Sequence, residues 1–122
     1  MTNKHQILVV DDDPDLRACL SSELRSEGYD VFSVMGGEEA ISIIQKRPFD
    51  LVLLDIRMPG VDGFKVLKFI KKNYPTDRVI MLTAFADIIN EIESRIQGAE
   101  AFVKKPYDVA DLLATIDRVI HQ

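Results

Sequence analysis

Two kinds of apolar pattern alternate along the 122-residue chain. Short runs rich in β-branched residues are separated by longer stretches in which apolar residues recur every three or four positions, the periods of strands and amphipathic helices. The short runs cover residues 7–10, 31–34, 51–54, 79–82 and 101–103. Each run and the periodic stretch after it occupy roughly 20 to 25 residues, the spacing of a βα unit. The pattern therefore predicts five βα units.

The composition of these runs predicts where each strand lies in a sheet. The runs at 7–10, 51–54 and 79–82 are continuously apolar, which is typical of parallel strands covered by helices on both faces. The run at 31–34 contains Ser33 and is predicted to be an edge strand. Right-handed crossovers then place helices on both faces. We predict an α/β fold, a doubly wound five-stranded parallel sheet of (βα)5 type, in one domain over residues 1–122.

Helix boundaries carry their own signals. Asp13 followed by Pro14 predicts the start of the first helix, with Asp13 as its cap, and Gly28 and Gly98 stand where helices are predicted to end.

Chemically active side chains directly follow four of the five predicted strands. Asp11 and Asp12 follow the first, Asp55 the third, Thr83 the fourth and Lys105 the fifth. Because open parallel sheets bind ligands at the carboxyl ends of their strands, we expect these residues to converge. Clustered carboxylates suit Mg²⁺, which accepts a few of them and keeps several waters. Beside such a cation, Asp55 is the candidate nucleophile toward phosphorus, Lys105 neutralises phosphoryl oxygens and Thr83 donates its hydroxyl.

Composition and charge exclude several classes of protein. The net charge of −5 argues against nucleic-acid binding by this domain, since phosphate contacts need clustered Lys and Arg. No apolar run approaches the ~20 residues that span a bilayer, and the polar start "MTNKHQ" lacks the apolar core of a signal peptide. The sequence therefore predicts no membrane association and a cytoplasmic location.

Three further residues carry reactive groups. The single cysteine, Cys19, lies beside Leu16 and Leu20 and is predicted to pack within the first helix rather than to react. His5 and His121 stand near opposite ends of the chain, and both are predicted to be isolated and solvated.

Four motifs together resemble one protein family. They are "VVDD" at 9–12, "LLDIRMPGVDG" at 53–63, "LTA" at 82–84 and "KP" at 105–106. In order and spacing, this set is similar to the receiver domain of bacterial two-component response regulators, over essentially the whole chain. The resemblance implies a flavodoxin-like strand order, 2-1-3-4-5, and a role in phosphorelay signal transduction. The phosphoryl donor would be a sensor histidine kinase or a histidine phosphotransfer protein, and the cofactor Mg²⁺.

The resemblance also implies roles for individual residues. Asp55 would be the phosphoacceptor, so that the chain catalyses only its own phosphorylation and dephosphorylation. Asp12, Asp55 and the main-chain carbonyl of Arg57 would ligate Mg²⁺ directly, and Asp11 through water. Thr83 and Lys105 would contact the phosphoryl oxygens.

Two further roles concern the shape of the phosphate pocket. Ala84 would be the small residue that leaves the phosphoryl oxygens room. A cis peptide between Lys105 and Pro106 would aim the lysine at the site.

Switching and lifetime are the remaining implied properties. Thr83 would move toward the phosphate and Phe102 would turn inward, which repacks the surface of the fourth helix, fifth strand and fifth helix for a downstream output partner or domain. Ile88 and Ile89 widen the apolar stripe of the fourth helix, and one of them is predicted either to belong to that surface or to make a deeper contact with the core.

Arg57 and Phe85 would flank the path of the hydrolytic water. From this we predict slow self-dephosphorylation.

Three alternatives stay open at this stage. A flavin or nucleotide binder of similar fold wants Gly, Ser or Thr amides after the first strand, where this chain has "DDDPD". A haloacid-dehalogenase-type phosphatase normally has a second Asp two residues after its nucleophile, where this chain has Arg57. A degenerate receiver would bind partners without being phosphorylated.

Overall fold

The computed structural model describes residues 4–56, 62–83, 93, 95 and 97–122. Five strands lie in this part: β1 Gln6–Val10, β2 Asp30–Val34, β3 Leu51–Asp55, β4 Arg78–Thr83 and β5 Ala101–Lys104. It also contains four helices: α1 Pro14–Ser26, α2 Gly37–Lys46, α3 Gly63–Asn73 and α4 Val109–Ile120. The helix named α4 here is the last of the five predicted helices. A further helix is predicted between β4 and β5, with apolar residues at Ile88, Ile92 and Ile96; these three residues lie outside the described part of the chain, whereas Glu93 and Arg95 are described and helical.

All five strands pair in parallel in the order β2-β1-β3-β4-β5. This confirms the predicted order 2-1-3-4-5, with β2 at one edge. The three continuously apolar strands occupy the centre, and Val52, Leu53 and Leu54 of β3 are fully buried. Central strands must be apolar on both faces because helices cover them both.

Alternate residues of each central strand feed two hydrophobic clusters. Leu8 and Val10 of β1 belong to the cluster that includes side chains of α2 and α3, whereas Ile7 and Val9 belong to the cluster that includes side chains of α1 and α4. Side chains of a strand point alternately to its two faces, so one strand supports both layers. The sheet is therefore doubly wound, as predicted.

Local signals set the helix ends as expected. Asp13 caps α1: its side chain accepts hydrogen bonds from the backbone N–H groups of Asp15 and Leu16 at 3.0 and 3.2 Å. Pro14 is the first helical residue. Gly28, just after α1, has φ of 94°, a left-handed conformation that side chains disfavour.

The predicted packing of Cys19 is wrong. Its side chain is exposed, and Leu16 is 38% exposed, whereas Leu20 and Leu24 are buried. The helical period predicted which face of α1 turns toward the sheet, but not how many turns of the helix the sheet covers. Because α1 begins four residues after β1 ends, its first turns extend beyond the carboxyl edge of the sheet.

The predicted isolation of the two histidines is also wrong. The rings of His5 and His121 meet edge to face, with their centroids 5.3 Å apart, although both side chains remain substantially exposed. In the described part of the chain, none of the helices has the length and apolar character needed to cross a membrane.

Candidate functional site

The sheet register brings the predicted site residues to one edge. β1 pairs with β3, β3 with β4 and β4 with β5, all in parallel. Asp11 directly follows β1, Asp55 ends β3, Thr83 ends β4 and Lys105 directly follows β5. Parallel pairing aligns these carboxyl ends, so residues up to 94 positions apart in sequence meet.

Three carboxylates form the acidic part of this site. Asp11, Asp12 and Asp55 each contribute one oxygen, and these oxygens lie within 4.8 Å of one another. Among the described residues this is the one such group of three or more metal-ligating side chains. Asp11 and Asp55 are buried, with 3% and 6% exposure, while Asp12 is exposed to water. Hard oxygen donors with one side open to water fit Mg²⁺, which retains several of its waters.

Lys105 supplies the positive charge among these acids. Its Nζ lies 2.7 Å from Asp11 Oδ2 and 3.5 Å from Asp55 Oδ2. Burial lowers the pKa of Lys105, but the hydrogen bond to Asp11 and the negative charges of Asp55 and Asp11 outweigh it, so that the pKa is raised above 10.5. Lys105 is therefore an ammonium whenever the carboxylates are ionised. Of its two carboxylate contacts, the one to Asp11 is the shorter.

Asp11 is held by several backbone contacts. Its Oδ1 accepts a hydrogen bond from Asp13 N at 3.0 Å, and its main-chain carbonyl accepts one from Arg17 Nη1 at 2.8 Å. Its backbone N–H donates to Val34 O at 3.2 Å. Sequence reasoning missed Arg17; its position one turn into a helix that follows an acidic strand end was the available signal. These contacts fix the carboxylate that receives Lys105.

The β4 and β5 ends meet through the backbone. Lys105 N donates to Thr83 O at 2.6 Å, and Thr83 is fully buried. The Lys105–Pro106 peptide is cis. Thr83 and the acidic cluster thus share one edge of the sheet.

Phe102 lies on β5, away from the acids. Its side chain is half-buried and packs against the cluster that contains Met81. It also lines a cleft of about 260 Å³ together with Arg95, Thr115 and Arg118. The predicted switch residue therefore lies between the core and an open surface.

Gly63 is a site residue whose role sequence reasoning missed, although it ends the motif "LLDIRMPGVDG". A Cβ added at Gly63 would lie 2.4 Å from Asp55 O and 2.7 Å from Ile56 Cα. Its N–H donates to Ile56 O at 2.9 Å. The start of α3 therefore packs directly on the backbone of the residue predicted to react, and only glycine fits there.

Several residues with predicted roles belong to the segments that the structure does not describe. The carbonyl of Arg57, the small residue Ala84, the flanking Phe85 and the apolar pair Ile88 and Ile89 all lie outside the described residues.

An apolar groove adjoins the acidic site. It has a volume of about 540 Å³ and runs between α1 and the start of α4. Its lining residues are Leu16, Cys19, Leu20, Glu23, Lys105, Pro106, Tyr107 and Val109. Burial raises the pKa of Tyr107. The positive charge of Lys105 opposes this rise, whereas Asp11 and Cys19 add to it. Lys105 lines both the groove and the acidic site.

Comparisons with known proteins agree with this geometry. Residues 7–117 match the family model of the response regulator receiver domain. The chain is 38% identical over 119 residues to the probable transcriptional regulator ycf27 of Porphyridium aerugineum, covering 98% of this chain and 49% of that protein. It is 36% identical over 117 residues to the heme response regulator HssR of Staphylococcus aureus, covering 96% and 52%. The chain thus spans about half the length of these curated relatives.

Solved structures give the same result. A CheY-like response regulator receiver domain protein from Methanospirillum hungatei matches with a TM-score of 0.94 and 32% identity, over 98% of this chain and 95% of that one. The chemotaxis protein CheY4 of Vibrio cholerae matches with a TM-score of 0.91 and 31% identity, over 96% and 99%. By motif, fold and site geometry, the chain belongs to the receiver domain family of two-component response regulators.

Proposed function

We propose that this receiver domain accepts a phosphoryl group on Asp55 in a Mg²⁺-dependent reaction, from a sensor histidine kinase or a histidine phosphotransfer protein in the cytoplasm. One observation carries the proposal: a buried carboxylate, Asp55, lies beside two further acids, with the Lys105 ammonium 3.5 Å away. Such an arrangement offers a nucleophile, ligands for a hard cation and a positive charge for phosphoryl oxygens. In this proposal all of residues 1–122 form the receiver.

The chain's own residues account for most of the chemistry. Asp11, Asp12 and Asp55 would hold Mg²⁺, which when bound supplies positive charge to the phosphoryl oxygens. An Asp55 carboxylate oxygen bonds to phosphorus as the P–N bond to the donor imidazole breaks, and the electron pair of that bond returns to the imidazole nitrogen. Lys105 moves its ammonium from carboxylate to phosphoryl oxygens, and Thr83 donates its hydroxyl to one of them.

The signal follows from the added charge. A phosphoryl group brings roughly −1.5 to −2 charge and three strong acceptor oxygens. We propose that Thr83 and Phe102 respond and that the surface of β5, α4 and the helix predicted before β5 then repacks toward an output partner or domain. The half-buried position of Phe102 beside an open cleft supports this. Ala84 as the small pocket residue, and slow dephosphorylation through Arg57 and Phe85, stay predictions.

Intact-protein mass after incubation with Mg²⁺ and acetyl phosphate tests the proposal. We expect wild type to gain one phosphoryl group, and neither the Asp55→Asn variant nor an EDTA-treated sample to gain it. A folded, Mg²⁺-binding wild type that gains nothing from acetyl phosphate or from a phosphorylated histidine phosphotransfer protein would instead support a receiver that binds partners without phosphorylation.

The apolar groove supports a docking site for the donor. A donor histidine must approach Asp55 closely, so its protein covers the edge of the sheet where Lys105 borders the groove. The exposed Leu16 and Val109 on opposite walls would then lose their contact with water. An amphipathic helix that carries the phosphohistidine is the occupant we propose, because such a helix lays its apolar face into a groove.

Comparison of two donors tests this docking site. We expect a Leu16→Ser, Val109→Ser variant to accept phosphate from acetyl phosphate at the wild-type rate, and about tenfold more slowly from a phosphotransfer protein that phosphorylates wild type. Met35→Ser is the matched control, since Met35 is 55% exposed and outside the groove. Equal slowing with both donors, or equal slowing by Met35→Ser, would contradict the docking site without affecting the role of Asp55.

A further inference from the structure

Arg17 joins α1 to the end of β1 beside the acidic site. Its Nη1 donates to the main-chain carbonyl oxygen of Asp11 at 2.8 Å, and the residue is half-buried. The backbone N–H of Arg17 donates to Asp13 O at 3.0 Å, a hydrogen bond of the first turn of the helix. The guanidinium therefore extends from regular helix and not from a loop.

The carbonyl that Arg17 contacts belongs to the peptide between two of the three clustered acids. A peptide unit is planar, so the carbonyl oxygen of Asp11 and the N–H and Cα of Asp12 move together. The other side of Asp11 is also held, because its backbone N–H donates to Val34 O at 3.2 Å. Arg17 therefore constrains the backbone from which the Asp12 side chain extends.

Asp12 depends on this constraint more than the other two acids do. Asp11 Oδ1 accepts from Asp13 N at 3.0 Å, and Asp11 Oδ2 accepts from Lys105 Nζ at 2.7 Å. Asp55 is buried at the end of β3, whereas Asp12 is exposed. The three carboxylate oxygens lie within 4.8 Å of one another, and their repulsion turns an exposed acid outward unless its backbone is held.

The charge of Arg17 and its position lead to opposite expectations. A guanidinium stays protonated, and its charge near the acids repels a second cation, so the charge alone would weaken Mg²⁺ binding. Position acts the other way, because ligands that are already held at the site do not have to be ordered when the cation binds. Removal of Arg17 therefore strengthens Mg²⁺ binding if charge dominates and weakens it if position dominates.

We propose that Arg17 is a positioning residue for the metal ligands and that its position outweighs its charge. This inference rests on the proposed function, in which Asp11, Asp12 and Asp55 hold Mg²⁺. Arg17 acts through the Asp11–Asp12 peptide and not on the cation. Loss of such a contact behind a ligand typically lowers metal affinity about tenfold or more.

Isothermal titration of the chain with Mg²⁺ tests the proposal, at a temperature at which circular dichroism shows each variant to be folded. We expect Arg17→Met to raise the Kd for Mg²⁺ about tenfold. Arg17→Lys keeps a donor for the same carbonyl and should recover much of the loss. Without metal, the Asp13 N–H should exchange faster in Arg17→Met, because its acceptor, Asp11 Oδ1, is held less firmly.

Arg25→Met is the matched control. Arg25 Nη2 donates to Val31 O at 3.1 Å, so this variant also removes a bond from α1 to a main-chain carbonyl six residues away, at the opposite end of the helix. We expect Arg25→Met to keep the wild-type Kd for Mg²⁺ and the wild-type exchange of the Asp13 N–H.

Unchanged or tighter Mg²⁺ binding in Arg17→Met, or equal weakening in Arg25→Met, would overturn the positioning role and leave the proposed phosphorylation of Asp55 standing. A folded wild type without measurable affinity for Mg²⁺ would instead contradict the proposed metal site, and with it this role of Arg17.

Discussion

At the scale of single residues, the backbone of Asp55 is positioned by a glycine in another element. Gly63 begins α3, and its missing side chain lets the helix contact the carbonyl of Asp55. The hydrogen bond from Gly63 N to Ile56 O closes the segment between them. If Asp55 is the nucleophile, as proposed, it needs such support, because small displacements of a nucleophile cost large factors in rate.

Gly63→Ala is expected to disturb both stability and the site. The added Cβ would overlap Asp55 O at 2.4 Å, so α3 or the end of β3 must shift, and we expect the free energy of unfolding to fall by about 1–3 kcal/mol. Phosphorylation by acetyl phosphate should slow by about tenfold or more. Urea unfolding and phosphorylation rates measure the two effects.

Gly36→Ala is the matched control for that experiment. A Cβ at Gly36 meets nothing within 4 Å, and Gly36 is the N-cap of α2 without a side-chain hydrogen bond. We expect a change of less than about 1 kcal/mol and an unchanged phosphorylation rate. Equal effects of the two alanines would contradict the role given to Gly63.

At the scale of elements, polar contacts join α3, β4 and β5 at the amino-terminal edge of the sheet. Lys71 of α3 forms an ion pair with Glu100 and donates to Asp77 O at 2.6 Å. Glu100 also accepts from Val79 N of β4 at 3.0 Å. This network fixes the entry to β4 and β5, whose other ends carry Thr83 and Lys105.

The side chain of Asp77, beside this network, destabilises the fold when it is ionised. Burial raises the pKa of Asp77. The positive charge of Lys71 opposes this rise, and the negative charge of Asp50 adds to it, so that the pKa remains above 3.8. A raised carboxyl pKa means that the folded state binds the proton more tightly. The stability that the protonated Asp77 carboxyl group contributes is present below pH 3.8 and is lost as the pH rises through the pKa of the folded state.

Asp77→Asn is therefore expected to stabilise the fold at pH 7. The gain should be below about 1 kcal/mol, because the side chain is partly exposed and water screens it, and it should vanish below pH 3.8. Urea unfolding at several pH values measures it. Glu23→Gln removes the same charge from an exposed position on α1 and should give no comparable gain; a pH-independent gain in Asp77→Asn would contradict the explanation.

At the scale of the whole molecule, the two edges of the sheet carry different ionisable side chains. The carboxyl edge holds three aspartates and one ammonium, and the amino edge holds two imidazoles. In a chain with a net charge of −5, gathering acids at one edge opposes folding until a cation binds. Under the proposed function, stability and phosphorylation would both depend on Mg²⁺ bound at this edge.

Mg²⁺ is expected to raise the unfolding temperature, and Asp12→Asn to abolish that increase. At about 100 times its Kd, a ligand adds about 2.7 kcal/mol, which is several degrees for a domain of this size. Without metal, Asp12→Asn should be more stable than wild type, because one repelling charge is gone. Thermal unfolding with Mg²⁺ or EDTA measures both effects.

Asp13→Asn is the control beside it. Asparagine caps a helix as well as aspartate does, and Asp13 is outside the three-carboxylate cluster, so this variant should keep the full response to Mg²⁺. An equal loss in both variants would contradict the assignment of the metal to Asp11, Asp12 and Asp55.

The sequence by itself determined the parts of this protein that depend on neighbours along the chain. The elements were predicted from signals that act over a few residues: the strand and helix periods, the Asp13 cap and the turn at Gly28. The strand order was predicted from the family resemblance. Because parallel strands align their ends, the acids, Thr83 and Lys105 were also predictable as one site.

Only the tertiary structure decided what depends on distances between elements. It paired Lys105 more closely with Asp11 than with Asp55, required glycine at 63, left Leu16 and Cys19 in an open groove and joined His5 to His121. Each of these depends on a contact between elements that are far apart in sequence. Patterns along a chain specify which face of an element is buried, not how far its neighbour extends over it.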